Sequence, residues 1–203
     1  MFQLTTVGFV RHGVTAWNKE KREQGSSDIP LDEEGIAMAE RLADRLSGEQ
    51  WDVICTSPLL RAKETAEIIA ERMPNLPLYP ESRLREVGSG QIEGTTEAER
   101  IEKWGESWRK LDLGFEPYDE VIARGLAFIE EMRAMHPGKR VLVISHGGFI
   151  VRLLEVLVPE KNLGRDLHNT SVTIVELHED ENRCHLFNCT KHLSRIDGWS
   201  TKK

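Results

Sequence analysis

The stretch that decides the fold is Phe-Val-Arg-His-Gly-Val-Thr-Ala-Trp-Asn, residues 9–18. An apolar run over residues 7–10 ends abruptly in Arg11, His12 and Gly13, which predicts a buried strand with two charged or titratable side chains at its C-terminal tip. In open α/β sheets the ligand crevice lies outside such strand ends. An imidazole next to a guanidinium suggests a nucleophile or proton carrier beside an anion clamp. A solvated arginine and a structural histidine would fit the same residues, so the rest of the chain has to decide.

Composition places this chain among ordinary globular proteins. Its 203 residues predict a single domain over 1–203, and 39% hydrophobic with 30% charged residues fit that class. No apolar stretch is long enough for a membrane span, and the N-terminus leads directly into the first strand, so we expect neither a membrane span nor a signal peptide. The net charge of −7 and the lack of a basic stripe argue against nucleic acid as a partner. The three cysteines, Cys55, Cys184 and Cys189, show neither metal-ligand spacing nor a disulfide framework, which favours a reduced, cytoplasmic location.

Strand and helix signals alternate along the chain. The predicted strands are 5–11, 53–56, 76–80 and 141–144, followed by a hairpin of 171–177 with 185–189. Helices are expected from an N-cap at Asp32, from Ser57 as N-cap with Pro58 as first helical residue, from Asp119 to Met135, and after Gly148. This alternation predicts a mostly parallel, mixed sheet with helices on both faces.

Three of the strand–helix junctions carry residues suited to binding an anion. Arg11 and His12 follow the first strand, Arg61 lies in the first turn after the second, and His146 follows the strand 141–144. All should open at one edge of a parallel sheet. Phosphate is the natural ligand there, since it accepts bidentate guanidinium bonds and helix N-terminal amides. Gly147 and its neighbours would let the backbone approach it closely.

These residues occur in a recognisable order. The segment 11–18, Arg-His-Gly-Val-Thr-Ala-Trp-Asn, resembles the signature of the histidine phosphatase superfamily, the phosphoglycerate-mutase-like proteins, and in particular their short bacterial broad-specificity phosphatases. The resemblance spans residues 5 to about 177. Its further motifs are Gln24-Gly25, Pro30-Leu31, Ser57-Pro58-Leu59-Leu60-Arg61-Ala62, Leu84-Arg85-Glu86, Glu93-Gly94, Ser145-His146-Gly147 and Asn169-Thr170-Ser171.

The resemblance implies a role for each site residue. His12 would be the nucleophile that becomes phosphorylated, and Glu86 would donate a proton to the leaving alkoxide and later serve as the base for the attacking water. The remaining residues implied in binding the phosphoryl group or bordering the substrate are Arg11, Asn18, Arg61, His146, Gly147, Gln24 and Gly25. The implied fold is a three-layer α/β/α sandwich on a six-stranded mixed sheet, which agrees with the pattern of elements.

The implied chemistry is consistent with the residue types. A nucleophilic imidazole must be neutral, and nearby arginines should disfavour the imidazolium. Transfer through a histidine splits one difficult displacement into two. Guanidinium charge can take the part that Mg²⁺ plays elsewhere, so we expect neither a metal nor another cofactor. We therefore predict a phosphatase acting on small phosphorylated substrates, with a partial lid at about 88–118.

One stretch departs from the family pattern. Many members carry Gly-Glu-Ser before the long helix that precedes the second catalytic histidine, whereas this chain has Glu-Pro-Tyr-Asp-Glu at 116–120. No substrate contact is carried over from that region. Trp104, Trp108 and Phe115 could line an apolar mouth or belong to the core, and the helical spacing of Ile101, Trp104, Trp108 and Leu111 favours the core for the two tryptophans.

Other functions have to be weighed against this one. Cys55 and Arg61 have the Cys-x₅-Arg spacing of cysteine-dependent phosphatases, but the residues between them lack the glycines of a phosphate-cradling loop. A mutase of the same superfamily usually has a longer insertion after the region of Glu86, and here the stretch from Gly94 to Asp119 is short. A phosphoprotein phosphatase, or a phosphoprotein-binding module without turnover, is also open. The module predicts the loss of a catalytic residue, and none is missing.

Overall fold

A computed structural model describes residues 5–159 and 166–194. Its centre is a six-stranded sheet in the order β3-β2-β4-β1-β5-β6. Strands β1 to β4 are mutually parallel, whereas β5 pairs antiparallel with both β1 and β6, so the sheet is mixed as predicted. The strands are β1 Thr5–Arg11, β2 Val53–Thr56, β3 Leu78–Pro80, β4 Arg140–Ser145, β5 Val172–Leu177 and β6 Arg183–Cys189.

Helices cover both faces of this sheet and complete the three layers. They are α1 Ala16–Lys19, α2 Glu33–Leu46, α3 Leu60–Arg72, α4 Glu97–Trp104, α5 Tyr118–Met135 and α6 Gly147–Leu157. One core packs α2 and α3 against Val10 and Ile54, and the other packs α5 and α6 against Val7 and Phe9. Successive residues of β1 therefore serve opposite cores, because side chains alternate across a strand. No helix in the described ranges is long and apolar enough to cross a membrane.

Most element predictions are confirmed, and one is wrong. Asp32 caps α2 by accepting a hydrogen bond from the Gly35 N–H at 2.8 Å. Ser57, by contrast, is not the N-cap of the next helix, which begins at Leu60. The Leu60 N–H instead donates to Asp28 Oδ1 at 2.5 Å, so a carboxylate from a distant loop takes the part expected of the serine. The first four residues and those after Ser194 lie outside the described ranges.

The register of the central strands sets the position of the site. Arg11 at the end of β1 pairs with Ser145 at the end of β4, so His12 and His146 leave the sheet side by side. The His12 N–H donates to the Ser145 carbonyl at 3.0 Å, which extends the pairing by one residue. The carboxyl ends of β1, β2 and β4 therefore meet at one edge, as expected.

Candidate active site

The His12 imidazole is held in one tautomer. It is 2% exposed, and its Nδ1 lies 2.7 Å from the Gly13 carbonyl oxygen. Because a carbonyl can only accept, the Nδ1 of the neutral ring carries the proton, and Nε2 keeps its lone pair. The backbone itself is anchored, since the Gly13 N–H donates to the Thr65 hydroxyl at 3.1 Å. The geometry leaves one nucleophilic nitrogen, and it faces the cleft between the strand ends.

Arg61 lies directly against that nitrogen. Its Nε is 3.3 Å from His12 Nε2, and its two terminal nitrogens donate to the carbonyl oxygens of Ser27 and Gly25 at 2.7 and 2.9 Å. The side chain is fully buried although it carries a charge. Gly25 has φ +47°, and a Cβ there would meet Glu93 Oε1 at 2.2 Å, so the turn that supplies its carbonyl requires glycine.

Burial and the neighbouring guanidinium groups keep both histidines neutral. Burial, followed by the charges of Arg61 and Arg11, lowers the pKa of His12 well below 6.5. Burial and Arg61 do the same to the pKa of His146. Burial also lowers the pKa of Arg61 to about 10, which leaves it charged at neutral pH. These pKa directions agree with the expectation that nearby arginines disfavour the imidazolium form of His12, and the same holds for His146.

His146 is the N-cap residue of α6, and its ring lies next to that of His12. The two rings are 5.2 Å apart between centroids, and His146 Nε2 lies 2.7 Å from the Ser57 hydroxyl. Ser57 was expected to be the N-cap of a helix, but its hydroxyl pairs with this imidazole, and the only backbone N–H in the described ranges that donates to it is that of Leu59, at 3.3 Å and one residue before α3 begins. Sequence alone had no signal for that role, because Ser57 and His146 come together only when β2 and β4 pair.

Arg11 completes the cationic cluster. Its Nη1 donates to the Leu167 carbonyl, and its Nε lies 3.3 Å from the place where a Cβ on Gly147 would sit. Arg11 Nε and His146 Nδ1 are buried without a hydrogen-bond partner among the described residues. An unsatisfied buried polar group typically costs about 1–3 kcal/mol. Arg11 Nε–H can only donate, so an anion bound beside Arg61 would supply the acceptor that it lacks.

Asn18 and Gln24 border the cleft from the turn after β1. Asn18 Oδ1 accepts from the Thr15 N–H at 3.1 Å and closes the cap of α1. Gln24 Oε1 pairs with the Thr15 hydroxyl at 3.1 Å. The amide nitrogens of both side chains make no hydrogen bond within residues 5–159 and 166–194, so both remain as donors. Asn169, for which sequence reasoning proposed no role, donates from Nδ2 to the His12 carbonyl at 3.0 Å and braces the same turn.

The Glu86 carboxylate sits against the N-terminus of α6. Its Oε1 accepts from the N–H groups of Val87 and Phe149 at 2.9 and 2.8 Å, and its Oε2 accepts from Gly148 N–H at 3.1 Å. A carboxylate has about four acceptor positions, two on each oxygen. One acceptor position on Oε2 therefore has no partner among the described residues.

Arg124, for which the sequence analysis proposed no role, fixes the backbone of the Glu86 loop. Arg124 donates to the carbonyl oxygens of Arg83, Arg85 and Glu86 at 2.6, 2.8 and 3.3 Å. It also forms a two-point pair with the Glu116 carboxylate at 2.9 and 3.0 Å, and both side chains are 9% exposed. Glu116 stands in the stretch that departs from the family pattern. Only the tertiary contact shows what it does.

The alternative nucleophile is excluded by its surroundings. Cys55 lies inside β2, 3% exposed, with its sulfur 4.0 Å from that of Met132. Burial raises the pKa of the Cys55 thiol to about 12, so it is an inert thiol. Trp108 is also interior: it is 4% exposed and packs with Ile92 and Leu113, as helical spacing favoured.

Comparison with known proteins agrees with this geometry. The family described as histidine phosphatase superfamily (branch 1) matches residues 7–190. The chain belongs to the histidine phosphatase superfamily. It is an enzyme of the phosphatase type, as predicted from the motifs, and its six-stranded fold is that of the phosphoglycerate-mutase-like phosphatases.

Individual relatives span nearly the whole chain. An uncharacterized phosphatase, PhoE, of Bacillus subtilis is 34% identical over 94% of this chain and 98% of its own. A metal-independent phosphoserine phosphatase of Arabidopsis thaliana is 32% identical over 96% of this chain and 85% of its own. The solved structure of YhfR from Bacillus stearothermophilus has a TM-score of 0.82 at 31% identity, covering 93% of this chain and 98% of its own. That of a mycobacterial glucosyl-3-phosphoglycerate phosphatase with VO3 has a TM-score of 0.81 at 30% identity, covering 90% and 98%.

Proposed function

We propose that this superfamily member hydrolyses small phosphate monoesters through a phosphohistidine on His12, without a metal ion. The observation that carries the proposal is the fixed tautomer of His12, whose unprotonated Nε2 accepts a hydrogen bond from Arg61 Nε at 3.3 Å. Relatives named as a metal-independent phosphoserine phosphatase and as a glucosyl-3-phosphoglycerate phosphatase support the class of substrate.

In the first step His12 Nε2 attacks phosphorus and the bond from phosphorus to the ester oxygen breaks. The departing oxygen takes the proton carried on Glu86 Oε2, so an alcohol leaves. Arg11 and Arg61 balance the charge on the transferring phosphoryl group, which is the largest contribution that a site of this kind can make, and the neutral His146 acts beside them as a hydrogen-bonding group. The carboxylate left on Glu86 remains held by the N–H groups of α6.

In the second step a water molecule attacks the phosphohistidine. Glu86 removes its proton, the bond from phosphorus to Nε2 breaks, and inorganic phosphate leaves with Glu86 protonated again. Asn18, Gln24 and the Gly147 backbone serve as positioning groups around the phosphate oxygens and the substrate. The enzyme returns to its starting state, so neither a redox agent nor a second substrate is consumed.

The test is to trap the covalent intermediate. Rapid quench with a ³²P-labelled ester should yield an acid-labile, base-stable phosphoprotein, and His12→Ala should abolish both the label and turnover. His185→Asn is the matched control, because His185 lies on β6 and pairs with Glu176 away from the cleft. Normal turnover in His12→Ala would exclude the mechanism.

We also propose that residues 88–118 form only a partial lid, so water reaches the phosphohistidine. This segment has a small interior of its own, built from Ile92, Trp108 and Leu113, and α4 presents exposed charges such as Glu97. Incubation with 3-phosphoglycerate should release phosphate faster than 2-phosphoglycerate appears, and a bisphosphoglycerate primer should not stimulate turnover. Fast isomerisation with little phosphate release would identify a mutase instead.

A further inference from the structure

Arg152 lies next to Glu86, the proposed proton donor. Like Arg11 and Arg61, it forms no ion pair with a carboxylate of the described residues. Arg152 on α6 folds back along the helix, and its Nη1 donates to the Gly148 carbonyl at 3.2 Å. Helical side chains point toward the N-terminus, so this direction takes the guanidinium to the catalytic edge of the sheet. Arg152 is partly exposed, which leaves it accessible to a ligand.

Gly148 makes room for this arrangement. A Cβ at Gly148 would lie 2.8 Å from Glu86 Oε1 and 3.2 Å from Arg152 Nη1. These two atoms therefore lie within about 6 Å of each other, and a side chain at position 148 would meet both. The lack of a side chain at this position brings a cation beside the carboxylate that would protonate the leaving group.

Arg152 differs from most arginines around the cleft in having no carboxylate partner. Each of the following pairs with a glutamate within 4.0 Å: Arg22, Arg83, Arg85, Arg109 and Arg124. Within residues 5–159 and 166–194, Arg152 forms no such pair. Glu155 lies one turn further along α6, but its carboxylate accepts from the Tyr118 hydroxyl at 3.1 Å. The other unpaired arginines at this edge are Arg11 and Arg61, and both belong to the phosphate site.

We infer that Arg152 is a specificity-determining residue that binds a carboxylate on the leaving alcohol. This inference rests on the proposed function, because it takes Glu86 as the group beside the ester oxygen. A leaving group whose carboxylate stands two carbons from that oxygen would place it beyond Glu86, toward the guanidinium. Arginine suits this task because its planar fork matches the two oxygens of a carboxylate. The substrate class is phosphate esters of hydroxy acids, including hydroxy amino acids.

The test compares two pairs of esters that differ only at the carboxylate. O-phosphoserine is matched by O-phosphoethanolamine, and 3-phosphoglycerate by glycerol 3-phosphate. Arg152→Gln should lower kcat/KM about 10- to 100-fold for the first member of each pair, as expected for the loss of a charge-assisted contact. The second members should change less than about 2-fold, and Arg152→Lys should restore part of the loss.

Arg133→Gln, on an exposed position of α5, should leave all four esters unchanged. Equal losses within each pair, with a shifted pH profile, would show that Arg152 acts through Glu86 and would overturn the inference. So would the absence of any loss, or a wild type that hydrolyses phenyl phosphate but neither carboxylate ester. If the wild type fails on phenyl phosphate as well, the proposed function itself is wrong.

Discussion

At the phosphate end of the cleft, His12, Arg61 and His146 are at most 2% exposed and bind one another, the backbone or a buried hydroxyl. At the leaving-group end, Glu86 and Arg152 are partly exposed and lie on a loop and on an outer turn of α6. The first end is built from strand termini and cannot adapt. At the second end, the Glu86 loop is held by one clasp, the Arg124–Glu116 ion pair, and by backbone N–H groups of α6, and Gly148 leaves room between Glu86 and Arg152. Under the proposed mechanism, this difference would make recognition of the phosphoryl group a property of the sheet and the choice of alcohol a property of the more exposed loop and helix.

The largest expected effect is at the phosphate end. Arg61→Lys should lower kcat about 10²- to 10³-fold, because a lysine cannot contact His12, Ser27 and Gly25 together. Arg72→Lys, at the exposed C-terminal end of the same helix, is the matched control and should retain wild-type activity. Steady-state assays with phenyl phosphate, and circular dichroism to verify folding, would measure this. A loss below 3-fold would mean that the buried guanidinium is structural only.

The burial of the histidines predicts acid sensitivity at the same end. The pKa values of His12 and His146 are lowered well below 6.5 by burial and by Arg61, so below pH 6.5 the unfolded chain binds protons that the folded protein does not. The free energy of unfolding therefore keeps its full value above pH 6.5 and decreases as the pH falls below 6.5. Each histidine contributes up to about 1.4 kcal/mol per pH unit in that range.

Urea unfolding between pH 7.5 and 5.5 would measure that slope. His146→Asn should lower the slope, because it removes one of the two fully buried imidazoles. A wild-type free energy of unfolding that stays flat across this interval would contradict the assignment of two neutral buried imidazoles.

A smaller and more selective effect is expected at the leaving-group end. Glu116→Gln keeps the shape of the Arg124 clasp but removes its charge, so the Glu86 loop should loosen. We expect kcat to fall about 10-fold for glycerol 3-phosphate, whose alkoxide needs a proton, and to change little for nitrophenyl phosphate. Glu120→Gln on the exposed side of α5 is the control.

Inhibition by vanadate separates the two ends of the cleft in this variant. Its inhibition constant should stay near the wild-type value in Glu116→Gln, because the phosphate end keeps all its contacts. Equal losses for both esters together with weaker vanadate binding would mean that the clasp supports the whole cleft.

The smallest effect is expected in the 88–118 segment. Arg109 is 64% exposed in its side chain and pairs with Glu97 at 2.9 Å. Solvent screens exposed ion pairs, so Arg109→Ala should lower the free energy of unfolding only slightly and leave kcat unchanged. Urea unfolding and a steady-state assay would measure both. A change in kcat above 3-fold would place this segment nearer to the chemistry than its exposure indicates.

Local patterns predicted much of this protein. The apolar strands, the cap at Asp32, the hairpin and the helix near 119–135 are all found, because alternation and capping act over a few residues. Ser57 shows where such reasoning fails. Its place before Pro58 is that of an N-cap, yet Asp28 reaches the helix from a distant loop and leaves the serine hydroxyl to His146.

The sequence by itself determined the alternating α/β order, since strand and helix periodicity are local properties. It also placed Arg11, His12 and His146 at strand ends and Arg61 in the first turn of the helix after β2. Only the tertiary structure decided which partners these groups meet. The tautomer of His12, the clasp on the Glu86 loop and the unpaired Arg152 beside Gly148 depend on distances between segments far apart in the chain. Such distances follow from sheet register and helix packing, and no pattern within a short stretch of sequence encodes them.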